Sequence, residues 1–382
     1  MKHKDKYLHI VSLDIPVPAN YGGAIDIYYK LRAFHAIGVK VIFHCFSYGG
    51  RTKAAELNEV CEKVFYYPRK KMINKLLDKT PAIVSSRSSD KLIERLAADD
   101  FPILFEGLHS CFYLTDQRIK NKRKIVRTHN IEHDYYLNLA KIEKKKHLKL
   151  YYSQEAMKLK KFEKSLKHCD VIAAISKNDY LHFQRKQYAA VEVVSAFHPY
   201  EKVNVKEGIG NYALYHGSLE VGENNNAAIY LIEELFSKTD YPLYITGNNP
   251  SKELKQLVAA SSNVKLKDNV DATTIDSLIQ EAQINILPTF QATGIKLKLL
   301  AALYIGRHCL VNTPMIKDTG LEDLCIVEDN PENMLQQINN LKNTAFSDND
   351  LRKERLENGR FSNQQNIYTL SSMVFPEELS SS

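Results

Sequence analysis

The chain has 382 residues, enough for two or three domains with cores of their own. Its apolar fraction is 44%, normal for a soluble globular protein, and no apolar run approaches the ~20 residues a membrane span needs. Net charge is +7, carried unevenly, and the six cysteines are too far apart in sequence to suggest a zinc site or a redox pair.

The start, Met1–Lys6, leads straight into a strand-like run with no signal-peptide core, so export is not expected. Tyr7–Leu13 reads as a buried strand. The loop Asp14–Gly23 follows, with two prolines and the adjacent glycines Gly22 and Gly23. Ala24–Ile37 reads as an amphipathic helix with Ile27, Tyr28, Leu31, Phe34 and His35 on one side, stopped by Gly38. Val39–Phe46 is a second strand. Strand, glycine turn, helix, strand is how a doubly wound sheet begins. No G-x-G-x-x-G is present, so a dinucleotide fingerprint is absent.

Ser47–Lys79 is polar and basic with weak periodicity, and Pro81–Asp99 contains a helix. Ile103–Glu106 and Lys124–Thr128 read as short strands. The second delivers Arg127-Thr128-His129-Asn130-Ile131-Glu132-His133-Asp134-Tyr135-Tyr136, a crowd of titratable side chains at a strand end, where open α/β sheets bind ligands. The plain alternative is that Asn130 caps the next helix and the histidines are surface residues.

Glu132–Lys167 reads as two helices with ten lysines between Lys141 and Lys167, interleaved with Tyr151, Tyr152, Met157, Leu159, Phe162 and Leu166. Such a face is either merely solvated or docks on an anionic membrane surface. No nucleic-acid-binding motif accompanies the lysines, so nucleic acid is not the expected partner. Val171–Ser176 and Val191–Ser195 are further strands, and Pro199 with Glu201–Asn211 marks a linker.

After the linker the pattern restarts: strand Tyr212–His216, turn at Gly217, helix Asn224–Phe236, then strand Leu243–Thr246 ending at Gly247. Asn263–Lys267 and Gln283–Leu287 are strands around a short helix, Thr273–Gln280. The stretch Thr289–Val311 organises this half. A buried strand closes at Pro288, the turn Ala292-Thr293-Gly294 follows, and Ile295, Leu297, Leu299, Leu300, Leu303 and Tyr304 take near-helical spacing up to Gly306. Such a turn presents backbone N–H groups at the positive end of a helix. Lys296 and Lys298 add two cations there, so a phosphate is the natural ligand; otherwise the stretch is an ordinary sheet-to-helix packing unit. His308–Asn312 and Cys325–Glu328 are the last strands. Pro331–Leu341, Asp350–Glu357 and Asn366–Phe375 are helical. Asp348-Asn349-Asp350 spells D-x-D ahead of a helix and reads as a cap rather than a metal motif.

Several of these motifs together resemble the GT-B retaining glycosyltransferases of the bacterial family-four type. Gly294, Lys298, Ala302, Leu303 and Gly306 match the family's G-x-x-x-K-x-x-E-A-L/M layout. Gly22 and Gly23 match its first-loop P-x-x-G-G, and Arg127–Tyr136 resembles its R-T-H-N-x-E-x-x-Y-Y block. Gly217, Leu219 and Asn224 match the opening of its nucleotide domain, and Gly247 the glycine turn beside the base. There are departures. The family's Glu-x7-Glu pair falls on Thr293 and Ala301, and its diphosphate-holding Arg and Lys fall on Ser218 and Glu223.

The resemblance implies two doubly wound Rossmann-like α/β domains facing a cleft. Residues 1–198 would form the acceptor side and 199–361 the nucleotide-sugar side, with 362–382 crossing back to the first domain. It implies a metal-independent transfer, with no cofactor beyond the nucleotide-sugar donor, to a cytoplasmic glycan or lipid-linked acceptor. The protein would be cytoplasmic, with a peripheral place at the inner membrane face. His129 would contact the donor sugar. Gly22, Gly23, Gly217, Gly247, Thr293, Gly294, Ile295, Lys296 and Lys298 would hold the donor. Asn130, Glu132 and His133 would lie toward the acceptor. A catalytically degenerate GT-B module that binds glycan or a partner glycosyltransferase is the other reading, favoured by the lost donor-site residues.

Overall fold

The computed structural model describes residues 5–70, 78–290, 296–347 and 350–376. The chain divides into two compact units, Met1–Phe197 with Asn363–Ser382, and His198–Ser362.

The first unit is built on seven strands: β1 (Tyr7–Val11), β2 (Lys40–Ser47), β3 (Lys63–Pro68), β4 (Ile103–Glu106), β5 (Lys124–Arg127), β6 (Val171–Ala174) and β7 (Ala190–Val193). All pair in parallel, in the order β3-β2-β1-β4-β5-β6-β7. Helices cover both faces, which is why the central strands are apolar on both sides. On one face Leu8 and Ile10 pack with Ile27, Leu31, Phe34 and Leu370. On the other, Val11, Phe105 and Val126 pack with Leu92, Ile93 and Leu159. The C-terminal helix Asn363–Val374 belongs to this unit. Its Asn366 carboxamide accepts from the Ser195 amide at 3.0 Å, and Arg123 Nε donates to the Met373 carbonyl at 2.6 Å.

The second unit has six strands: β8 (Ala213–His216), β9 (Leu243–Gly247), β10 (Val264–Asp268), β11 (Ile284–Leu287), β12 (His308–Val311) and β13 (Ile326–Val327). They too are all parallel, in the order β10-β9-β8-β11-β12-β13. Helix Leu297–Ile305 is apolar apart from Lys298 and buried from Leu299 to Ile305, so it is the central helix of this core. Gly306 caps it in an extended conformation, and a Cβ there would lie 2.2 Å from Asn285 Nδ2, so the position is tied to glycine.

Several elements went unread in the sequence, among them one strand and two of the longer helices. β3 is an edge strand, half exposed along most of its length, so it lacks the continuous apolar signal of its neighbours. Helices Lys177–Lys186 and Lys252–Ala260 each bury few residues and present mostly polar side chains. The helix expected over Asn224–Phe236 is Gly222–Tyr230, continued by a wider π-type turn and a short 3-10 turn. Among the described residues no helix is long and apolar enough to cross a membrane.

Each sheet has one point where successive connections leave in opposite directions, between β1 and β4 and between β8 and β11. At such a point the loops after the strands diverge and open a crevice at their carboxyl ends, where ligands of open α/β sheets bind. Both candidate constellations lie there.

Candidate functional site

In the first unit, β4 ends on Glu106 and β5 on Arg127, with His129 two residues beyond. Helix Gly22–Ala36, which follows β1, turns Asp26 and Lys30 inward rather than His35, which is exposed. These five side chains form one network. Lys30 Nζ lies 2.9 Å from Asp26 Oδ2 and 2.7 Å from Glu106 Oε1. Arg127 reaches Asp26 Oδ1 at 3.3 Å and donates to the Ser195 carbonyl at 2.9 Å. His129 Nε2 is 2.9 Å from Glu106 Oε2, and its Nδ1 is 4.0 Å from Asp26 Oδ2.

Asp26, Lys30, Glu106 and Arg127 are essentially inaccessible to solvent, and only His129 reaches the surface, at 12%. Burial by itself favours neutral carboxyls. Against it, Lys30, Arg127 and His129 hold Asp26 well below the usual carboxylate range, and Lys30 and His129 lower Glu106. Asp26, Glu106 and His129 have ligand atoms close enough to share a metal. The Lys30 ammonium, however, already sits between both carboxylates as their cation. Gly107 turns the chain after Glu106 with φ of +71°, a conformation that favours glycine, and a Cβ there would touch His129 at 3.5 Å.

Sequence reasoning found His129 and missed Asp26, Lys30 and Glu106. The i,i+4 pair of opposite charges on the first helix, and an acid closing a buried strand before glycine, were the available signals.

The other residues of the histidine block are drawn elsewhere. Asn130 is exposed, and the helix that follows, Glu132–Ile142, starts at Ile131 with no side-chain cap, contrary to the capping expectation. Glu132 is buried 2.9 Å from His109 Nε2. His133 Nδ1 is 3.1 Å from Glu163, which is also 3.2 Å from His182 Nε2. At the start of the first helix, Gly22 is exposed, and a Cβ on Gly23 would meet the Tyr21 ring at 3.1 Å. Arg51 braces the preceding loop through the Ile15 carbonyl at 2.9 Å and the Pro18 carbonyl at 2.8 Å.

In the second unit, Gly217 follows β8 and Gly247 ends β9. A Cβ on Gly247 would lie 1.9 Å from the Gly217 carbonyl oxygen, so only glycine lets the two turns meet. Lys298, in the first turn of its helix, donates to Asn224 Oδ1 at 2.9 Å and to Tyr215 Oη at 3.1 Å, and lies over the Tyr215 ring. These partners are neutral. Burial, reinforced by the charge of Lys296, therefore lowers the Lys298 ammonium to about 7. Lys296 Nζ is 3.9 Å from Glu223 Oε1, and Glu223 also takes a hydrogen bond from Thr289. His216 Nε2, at the end of β8, is buried without a partner among the described residues.

The structure thus brings Gly217, Gly247, Lys296 and Lys298 to one switch point. Thr293, Gly294 and Ile295 lie outside the described residues, as do Asp348 and Asn349 of the D-x-D. Ala301 is buried in the core.

No family model matches the sequence. An uncharacterized 44.6 kDa protein in the cps region of Klebsiella pneumoniae is 27% identical over 313 residues, covering 77% of this chain and 79% of its own length. Among solved structures, a glycosyltransferase from Rickettsia africae matches with a TM-score of 0.60 at 13% identity, covering 100% of both chains. The lipopolysaccharide outer core galactosyltransferase WaaB matches with a TM-score of 0.59 at 13% identity, over 97% of this chain and 99% of its own. The trehalose-6-phosphate structure from E. coli bound with UDP-2-fluoro glucose matches at 0.61 and 9% identity, over 97% and 99%. Full-length likeness of this kind, with two all-parallel sheets of seven and six strands, gives this chain the GT-B glycosyltransferase fold.

Proposed function

We propose that this protein transfers a sugar from a nucleotide-sugar donor to a glycan or lipid-linked acceptor, with retention at the anomeric carbon and without a metal at the donor site. The observation that carries the reading is Lys298. It is a lysine beside a glycine-lined turn at a sheet switch point, bonded among the described residues to neutral partners and lowered to about 7. A diphosphate would restore its charge, and helix N-terminus and cation would then stabilise the leaving group. Lys296 would take a secondary role, since Glu223 already draws on it. In the first unit, His129 is the end of a fixed charge network that reaches the surface, and it is assigned the polar contact to the donor sugar.

The lysine-rich helices Glu132–Ile142 and Lys146–Phe162 support a membrane-side acceptor. Nearly all their lysines are exposed, together with Leu137, Ile142, Leu150 and Met157. A basic surface studded with apolar side chains suits the headgroup region of an anionic membrane.

A thermal-shift screen of nucleoside diphosphates tests the reading and names the base. One diphosphate at about 100 times its Kd should stabilise the protein by about 2.7 kcal/mol. If none of them raises the midpoint, the donor assignment falls, and a module that binds glycan or a partner glycosyltransferase takes its place.

A further inference from the structure

We propose that His133, Glu163 and His182 form a divalent-metal site of the zinc class, separate from the transfer chemistry. His133 lies in the first turn of helix Glu132–Ile142, Glu163 opens the 3-10 turn after helix Lys146–Phe162, and His182 lies in helix Lys177–Lys186. One ligand atom from each lies within 4.8 Å of the other two. Their distance along the chain hid them from any reading of ligand spacing.

Four features make this a built site. Its side chains are largely buried, with 8%, 3% and 14% exposure for His133, Glu163 and His182, so the ligands are held before any ion arrives. Among the described residues His133 Nδ1, 3.1 Å from the Glu163 carboxylate, has no well-aligned hydrogen-bond partner, so a buried ring nitrogen is left unsatisfied. A shared cation would satisfy it. The other nitrogen of that ring, Nε2, lies 3.5 Å from the exposed Asp134 carboxylate, which could turn onto the imidazole as an outer-shell partner once a metal holds it. Finally, among the described residues Glu163 is paired with these two imidazoles and with no lysine or arginine. That sets it apart from Asp26 and Glu106, whose cation is Lys30.

Two imidazoles and one carboxylate suit zinc, with a fourth position open to water. Three elements converge on the ion, so it would clasp the lysine-rich helices to the helix beside β6.

Untagged full-length protein, stripped with chelator and dialysed, is titrated with zinc ion alone. Binding of about one equivalent per chain is expected. Cobalt(II) in its place should give the visible d–d bands of a four-coordinate site and no thiolate charge-transfer band. Losing an outer-shell partner costs roughly 10- to 100-fold in metal affinity, so Asp134→Asn should weaken zinc within that range and His182→Ala by more than about 100-fold. His182 is the most exposed ligand, so its variant is the one expected to fold, as checked by circular dichroism. Should a folded His182→Ala bind zinc as tightly as the parent, or cobalt show thiolate ligation, the site is elsewhere and the proposal is overturned. Nucleoside-diphosphate binding is measured in parallel on both variants. It should be unchanged, which separates this test from that of the donor site.

Discussion

His129 Nε2 lies 2.9 Å from Glu106 Oε2, and Glu106 in turn is held 2.7 Å from the Lys30 ammonium. The imidazole therefore cannot turn without breaking a buried charge contact. If its remaining face meets the donor sugar only in the transition state, His129→Ala should lower kcat by about 10²-fold with nucleotide affinity nearly unchanged. Wild-type turnover in the variant would reduce His129 to a structural partner of Glu106.

Lys30→Met should be severely destabilising. It leaves Asp26 and Glu106 buried without the cation between them, and breaking a buried pair costs about 3–5 kcal/mol. Urea unfolding at neutral pH measures it. The carboxyl of Asp26 is held below its ordinary value in the folded state. Its contribution is thus present above the unfolded value of 3.8 and is lost as pH falls toward the folded one. The parent should unfold in acid, and Lys30→Met, lacking the pair, should show a shallower acid limb.

Gly247→Ala should cost stability although it adds a single methyl group. Its Cβ would meet the Gly217 carbonyl at 1.9 Å, and forced overpacking costs about 1–3 kcal/mol. At Gly222 a Cβ would meet nothing within 4 Å among the described residues, so that position supplies the control. Gly222→Ala should be neutral or stabilising by up to about 1 kcal/mol. Equal thermal midpoints for the two variants would contradict the packing argument.

Lys298→Ala should weaken diphosphate binding by roughly 10- to 150-fold, the worth of one charge-assisted hydrogen bond at about 1.5–3 kcal/mol, and Lys296→Ala by less. The pH dependence is specific. With its folded value lowered to about 7 from 10.5, Lys298 is mostly neutral at pH 8 in the free protein. The unfolded chain binds that proton and the folded one does not, so this group's contribution to stability rises with pH from about 7 toward 10.5. A diphosphate favours the charged form, so binding at pH 8 should take up a proton. Calorimetry in buffers of different ionisation enthalpy reads that proton directly, and Lys298→Ala should abolish it. Proton uptake that survives in the variant would place the titrating group elsewhere.

Liposome co-sedimentation tests the lysine-rich helices. Attraction near an anionic surface is about 1 kcal/mol per lysine, and only some lysines can face it at once. Binding should be modest and fall as salt rises. Identical behaviour with neutral and anionic liposomes would leave these lysines as a solvated face.

The fold was legible because it is written in local signals. β4 runs over Ile103–Glu106 and helix Pro331–Leu341 over the bounds that periodicity and capping set, because strands buried on both faces and helices with one apolar face carry their burial in their own spelling. β3 and helix Lys252–Ala260 escaped because half-exposed elements are spelled like loops.

The sequence by itself determined two doubly wound sheets, the strand-end place of His129 and the glycine-flanked lysines of the second unit, since each is a pattern within a few neighbouring residues. Only the tertiary structure decided which charges act together. Asp26, Lys30, Glu106 and His129 come from a helix and two strand ends as far apart as residues 26 and 129, and His133, Glu163 and His182 from three separate elements. Read along the chain, each of these is a polar residue that solvent could satisfy. The parallel order of the strands brings them together, and burial then obliges them to satisfy one another, because charges withdrawn from water need partners at close range.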